Sequence, residues 1–162
     1  MKKIIIIVLF AILISGCTVQ GETTYKWQDD PVADSVMAEL ALTNFLSLLN
    51  QHQYQQASQY YGGDYDFLYK MNPDVKREQK AILLQKYCLE NDGACLIPDI
   101  IGLNQEDQDF IFTVVFYDKE GNLFKTPGCS CKGGGKSEFK FRVEKNNPQF
   151  LVKDLPPLDI ET

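Results

Sequence analysis

After Gly93 the spacing of apolar residues changes from about 3.6 to 2, and no other feature restricts the fold of this chain as much. Before that point the pattern is helical. Asp30-Pro31 supplies a cap and a first-turn proline. Val36, Met37, Leu40, Ala41, Phe45, Leu48 and Leu49 then recur at three- and four-residue steps, widened by Leu42 and Leu46. So wide a stripe predicts a first helix buried on more than one side. Residues 50–53 break it, and Tyr54, Ala57 and Tyr61 mark a second helix ended by Gly62-Gly63. The aromatic-rich residues 64–70 read as a short strand. Asn72-Pro73 repeats the cap-plus-proline signal, predicting a third helix with Val75, Ile82, Leu83 and Tyr87 on one face.

Beyond Gly93 the pattern is that of strands. Residues 95–103 form an apolar run interrupted by Pro98, which points to a bulge or a sheet edge. Residues 110–117 are apolar on both alternating faces and predict a central strand covered on both sides. Phe139, Phe141 and Val143 alternate with Lys140, Arg142 and Glu144, giving one dry and one wet face. Residues 150–155 are the last expected strand, stopped by Pro156-Pro157. Three helices followed by an antiparallel meander make the expected fold class α+β, with helices on one face of a curved sheet.

The start of the chain determines its expected address. Met1-Lys2-Lys3 precedes an apolar run over 4–14, then Ser15, Gly16 and Cys17. This is the order of a secretory signal. Eleven apolar residues span roughly 16 Å as a helix, about half a bilayer's hydrocarbon core, so the run is too short for a membrane span. Ile14-Ser15-Gly16-Cys17 resembles the lipobox of bacterial lipoprotein precursors. That resemblance implies cleavage before Cys17, acylation of its thiol, and a protein held by lipid on the extracytoplasmic side of the cell membrane or outer membrane. Thr18, in place of an aspartate, leans towards the outer membrane. The expected organisation is a signal peptide over 1–16, a lipidated cysteine and polar tether over 17–30, and one domain over 31–162. Tyr25 and Trp27 in the tether either dock on the domain or sit at the lipid interface, docking being the simpler expectation.

With Lys2 and Lys3 removed, 14 basic residues face 22 acidic ones, a net of −8. A surface of that sign repels phosphate backbones, so nucleic acid is not an expected partner. Apart from Cys17, four cysteines remain: Cys88, Cys95, Cys129 and Cys131. An even number outside the cytoplasm reads as two disulfides. Four cysteines allow three pairings; a Cys129–Cys131 bridge would close a very small ring, so one or both bridges are expected to link the 88–95 segment to the 129–131 segment. The spacings C-x6-C and C-x-C fit zinc poorly against the usual C-x2-4-C pairs, and no metal or cofactor is expected.

The segment 34–157 resembles the NTF2-like (cystatin-like) superfamily. The resemblance is carried by Ala38-Glu-Leu-Ala-Leu-Thr-Asn-Phe-Leu-Ser-Leu-Leu-Asn-Gln-His-Gln-Tyr-Gln-Gln-Ala57 at the front. At the back it is carried by Ser137-Glu-Phe-Lys-Phe-Arg-Val-Glu-Lys145 and Phe150-Leu-Val-Lys-Asp-Leu-Pro-Pro157. It implies a cone in which helices close over a concave sheet. Enzymes of that superfamily use an aromatic-lined cavity between the two, with one acid. Tyr61, Tyr65, Phe112 and Phe141 are the expected lining of any such cavity, with Asp64 and Asp66 as its carboxylates. The plainer alternative is that the aromatics pack the cone and the aspartates begin a strand.

Two other motifs reduce to ordinary structure. Ser130-Cys-Lys-Gly-Gly-Gly-Lys-Ser137 approaches a phosphate-binding loop but has serine where the first glycine belongs. It also precedes a strand pattern, not the helix whose amides would hold phosphate. His52, the single histidine, stands among Asn50, Gln51 and Gln53 at an inter-helix turn and reads as an exposed turn residue. The expectation is therefore a non-catalytic, envelope-associated module binding a protein or a small apolar ligand. The alternative is a cavity enzyme of isomerase or hydro-lyase type.

Overall fold

A computed structural model describes residues 31–126 and 135–158. Its first element is α1 (Pro31–Asn50), whose inner stripe Ala38, Leu42, Phe45 and Leu49 is fully buried. α1 stops in a Schellman turn. Gln53 N–H bonds to Leu48 O at 2.8 Å, His52 N–H bonds to Leu49 O at 3.1 Å, and His52 takes the left-handed φ of 59°. Glycine usually fills that position. A histidine there carries a backbone cost of about 1–2 kcal/mol.

α2 (Tyr54–Ala57) and α3 (Tyr65–Met71) are short. Residues 64–70 form this helix and not the expected strand, because Asp64 Oδ1 accepts from Asp66 N–H at 2.8 Å and Phe67 N–H at 3.2 Å. A side-chain cap of this kind contributes ~1 kcal/mol. Gly63, just before the cap, lies against the main chain. A Cβ there would stand 2.2 Å from Lys153 O. The expected helix from Pro73 begins later, as α4 (Lys80–Leu89). Asn72 is instead drawn inwards, its amide donating to Leu68 O at 3.1 Å and to Asn91 Oδ1 at 2.7 Å. The described helices are thus four, not three.

The sheet is an antiparallel meander, β1 (Ile97–Glu106), β2 (Asp109–Tyr117), β3 (Phe139–Asn146) and β4 (Gln149–Val152), ordered β1-β2-β3-β4. β1 is an edge with Pro98 near its start and a register shift between Ile100 and Gly102, as the proline suggests. The helices cover one face only. Phe110, Phe112, Val114 and Phe116 of β2 are buried beneath them; on the reverse face Val115 is buried too, but Ile111, Thr113 and Tyr117 are only half-buried. Coverage on both sides, expected for β2, is therefore corrected. Lys140 and Arg142 share the reverse face and take water with them. β4 also ends earlier than expected. After Val152, Lys153 N–H still bonds to Arg142 O at 2.9 Å, but the return bond from Arg142 N–H goes to the Asp154 side chain, Oδ2, at 2.6 Å.

Between β2 and β3 the chain returns alongside β2: Phe124 N–H bonds to Phe116 O at 2.8 Å. Thr126 N–H then bonds to Lys136 O at 3.0 Å, and Lys136 N–H bonds to the Thr126 hydroxyl at 3.3 Å.

Candidate functional site

The space between α1 and the sheet is where a cavity would lie. Phe112 is 0% exposed and Phe141 1%, and Phe45, Leu42, Val114, Phe116, Val143 and Val152 have no more exposure than Phe141. Side chains without accessible area touch no water-sized void. These two expected lining residues are therefore packing. Phe116 packs on Phe141 with ring centroids 6.0 Å apart.

The structure does bring Tyr61 and Tyr65 together. Their rings meet edge to face at 5.0 Å, and Tyr61 stacks on Phe45 at 5.5 Å. Burial pushes the Tyr65 phenol up to about 12, and its hydroxyl is buried with no hydrogen-bond partner among the described residues. Burial raises Tyr61 further, helped by Tyr65, Asp64 and Asp154 beside it. The Lys80 ammonium lies 4.8 Å from the centroid of the Tyr65 ring, a cation–π contact at the mouth of the cluster.

The carboxylates are not buried with them. Asp64 is exposed and spent on the α3 cap. Asp66 pairs with Arg77, both more than half exposed, and Arg77 also covers the Tyr69 ring at 4.7 Å. General acid–base chemistry needs a carboxyl held in a dry cleft, and neither aspartate has one. The expected pocket of Tyr61, Asp64, Tyr65, Asp66, Phe112 and Phe141 is thus divided between core, cap and surface.

His52 is explained by its position in the α1 cap. Its Nδ1 lies 2.6 Å from the Tyr54 hydroxyl, tying the inter-helix turn to α2. Among the described residues, no three of His, Cys, Asp and Glu gather closely enough to hold a metal ion.

The cysteine pairing is also corrected. Cys88 is disulfide-bonded to Cys95, with Cα atoms 5.5 Å apart, so neither is free to bridge to residues 129–131. The cause is local. Asp92 adopts a φ of 55°, Gly93 N–H bonds back to Tyr87 O, and Cys95 N–H bonds to Gly93 O. The chain reverses at the end of α4 and sets Cys95 beside Cys88. Cys17, Cys129 and Cys131 lie outside the described residues.

Sequence reasoning missed a groove on the outer flank of α1. Met37, Leu40 and Asn44 form one wall, and Tyr60, Pro148 and Phe150 close the other, around about 280 Å³. At its base Asn44 Nδ2 donates to the Tyr60 hydroxyl at 3.3 Å. The available signal was the excess of apolar positions on α1 over what one packed face can take. That helix is long and apolar enough to cross a membrane by length and composition, but its inner stripe is already taken by the sheet. No protein-family model matches the chain, and no curated protein matches it.

Proposed function

We propose that this chain is a lipid-anchored, extracytoplasmic domain of NTF2-like architecture that binds a protein partner and performs no catalysis. The observation that carries the reading is the filled interior, with Phe45, Phe112, Phe116 and Phe141 packed where a cavity enzyme of this architecture would hold substrate. A small apolar ligand has no volume there either, which leaves the surface to do the binding. The Cys88–Cys95 disulfide supports an oxidising compartment. The short apolar run ending at Ile14-Ser15-Gly16-Cys17 supports export and lipidation.

Two measurements test this. Detergent phase partitioning with radiolabelled palmitate should place the wild-type protein in the detergent phase, labelled. Cys17→Ser should lose the label. Unlabelled wild type in the aqueous phase rejects the anchor. Thermal-shift screening against small apolar compounds and cyclic ketones should give no stabilised complex. A ligand found by crystallography between α1 and the sheet would restore the enzyme reading.

A further inference from the structure

Of the two edges of the sheet, one is closed. At β4, Val152 N–H bonds to Tyr60 O at 2.8 Å and Gly62 N–H bonds to Val152 O at 2.9 Å. β1 is the other edge. Among the described residues, no backbone hydrogen bond leaves β1 on the side away from β2. An antiparallel edge strand points alternate N–H and C=O groups outwards, so a strand of 10 residues is a template for another. Edges are commonly blunted by lysine, proline or a bulge. Here Pro98 and the register shift between Ile100 and Gly102 disturb the first half, and the strand has no lysine. Residues 102–106 pair with β2 without interruption.

α1 adds a receptacle beside this edge. Glu39, Thr43 and Ser47 on the helix face Pro98, Asp99 and Ile100 on β1 across a groove of about 270 Å³. Farther along the strand, Ile101 and Leu103 stand half in water, at 51% and 47%. Glu39 and Asp99 form no ion pair with any described residue. Between Lys86 and Lys119 the chain has no basic residue, while Asp99 and Glu106 of β1 and Asp107 and Asp109 just beyond it are all acidic. A second copy would set one acidic edge against another, and like charges across a strand pair oppose each other. We infer that the outer edge of β1 is where a protein partner docks by strand addition, through an extended segment that alternates apolar side chains with lysine or arginine. Backbone pairing along residues 102–106 supplies affinity, and Ile101 and Leu103 meet the apolar side chains. Glu39 and Asp99 select the basic ones. The inference rests on the protein-binding reading above, and adds to it the surface and the chemistry of the partner.

The probe is a twelve-residue peptide alternating valine with lysine and arginine, capped at both ends and titrated into the full chain in nonionic detergent micelles. Fluorescence anisotropy should show saturable binding, and amide hydrogen exchange should slow about tenfold or more at the outward amides of residues 102–106. Leu103→Lys and Glu39→Lys, both at exposed positions, should each weaken binding several-fold with the circular dichroism spectrum unchanged. A peptide with glutamate in place of its basic residues should not bind. One N-methylated at alternate residues, with its charge unchanged, should lose about tenfold or more in affinity. Undiminished binding of the methylated peptide overturns the inference, because charge alone then holds it. Absence of binding overturns it too. So does protection of every β1 amide in the free chain, since the edge is then already covered, by a second copy if the protection fades on dilution and otherwise by the chain itself. A photo-cross-linking side chain in place of Leu103, and separately of Met37, tells this inference from the reading it rests on. Protein adducts in cells from position 37 alone overturn the inference only, and adducts from neither position overturn both.

Discussion

α1 has two apolar faces with opposite fates. Ala38, Leu42, Phe45 and Leu49 are sealed against the sheet, while Val36, Met37 and Leu40, on the same helix and of similar character, stand half in water. Composition does not separate them. What separates them is the sheet, which has one dry face and can cover one stripe. An apolar residue in a helix therefore reports a wish for cover, and the rest of the fold decides whether it is met.

The contrast can be broken from the inside first. Tyr61, Tyr65 and Tyr87 are buried phenols whose pKa values are raised, chiefly by burial, above the ordinary 10. The unfolded chain therefore releases these protons at lower pH than the folded one. Their stabilisation is complete below about pH 10 and is lost as pH rises through the folded values. Cooperative unfolding is expected as pH is raised past 10 towards 12, followed by circular dichroism together with phenolate absorbance. Retention of the native spectrum with all tyrosines ionised would contradict the packing described. Next, Phe45→Ala should cost about 3–5 kcal/mol in urea unfolding, as expected for a large cavity in a closed core.

The disulfide has an intermediate effect. Cys88→Ser with Cys95→Ser removes a short loop constraint worth about 2.5 kcal/mol in the chain-entropy model. The double variant should melt lower but remain folded, since Leu83, Leu84 and Tyr87 hold α4 independently. The outer stripe gives the smallest effect. Val36→Ser should change stability by no more than about 0.5 kcal/mol, as for an exposed position without special contacts. A loss comparable to Phe45→Ala would show that the two faces are not different after all.

The long elements were legible in the sequence. Pro31 starts α1, and the alternations over 110–117 and 139–144 are β2 and β3, because many residues repeat one period in each. The short elements were less so. Residues 64–70 have strand-like aromatics, yet one cap bond from Asp64 makes them helical. At Asn72-Pro73 the cap-and-proline signal was outweighed by the asparagine's two inward hydrogen bonds. The cysteine pairing turned on a reversal at Asp92-Gly93 that spacing alone does not encode. Of the aromatics expected to line a cavity, Tyr61 and Tyr65 meet ring to ring. Whether a cluster of aromatics encloses space or fills it depends on how the side chains fit together, and a linear pattern does not carry that.

The hydrogen bonds between Thr126 and Lys136 tie together two residues ten positions apart in the sequence. Because these two positions hold each other directly, extra residues inserted between them add chiefly a chain-closure cost. In the polymer estimate, doubling a flexible loop adds only ~0.6 kcal/mol to the closure cost. Evolution, or a protein engineer inserting a peptide tag there, can vary the displayed sequence while β2 and β3 keep their register.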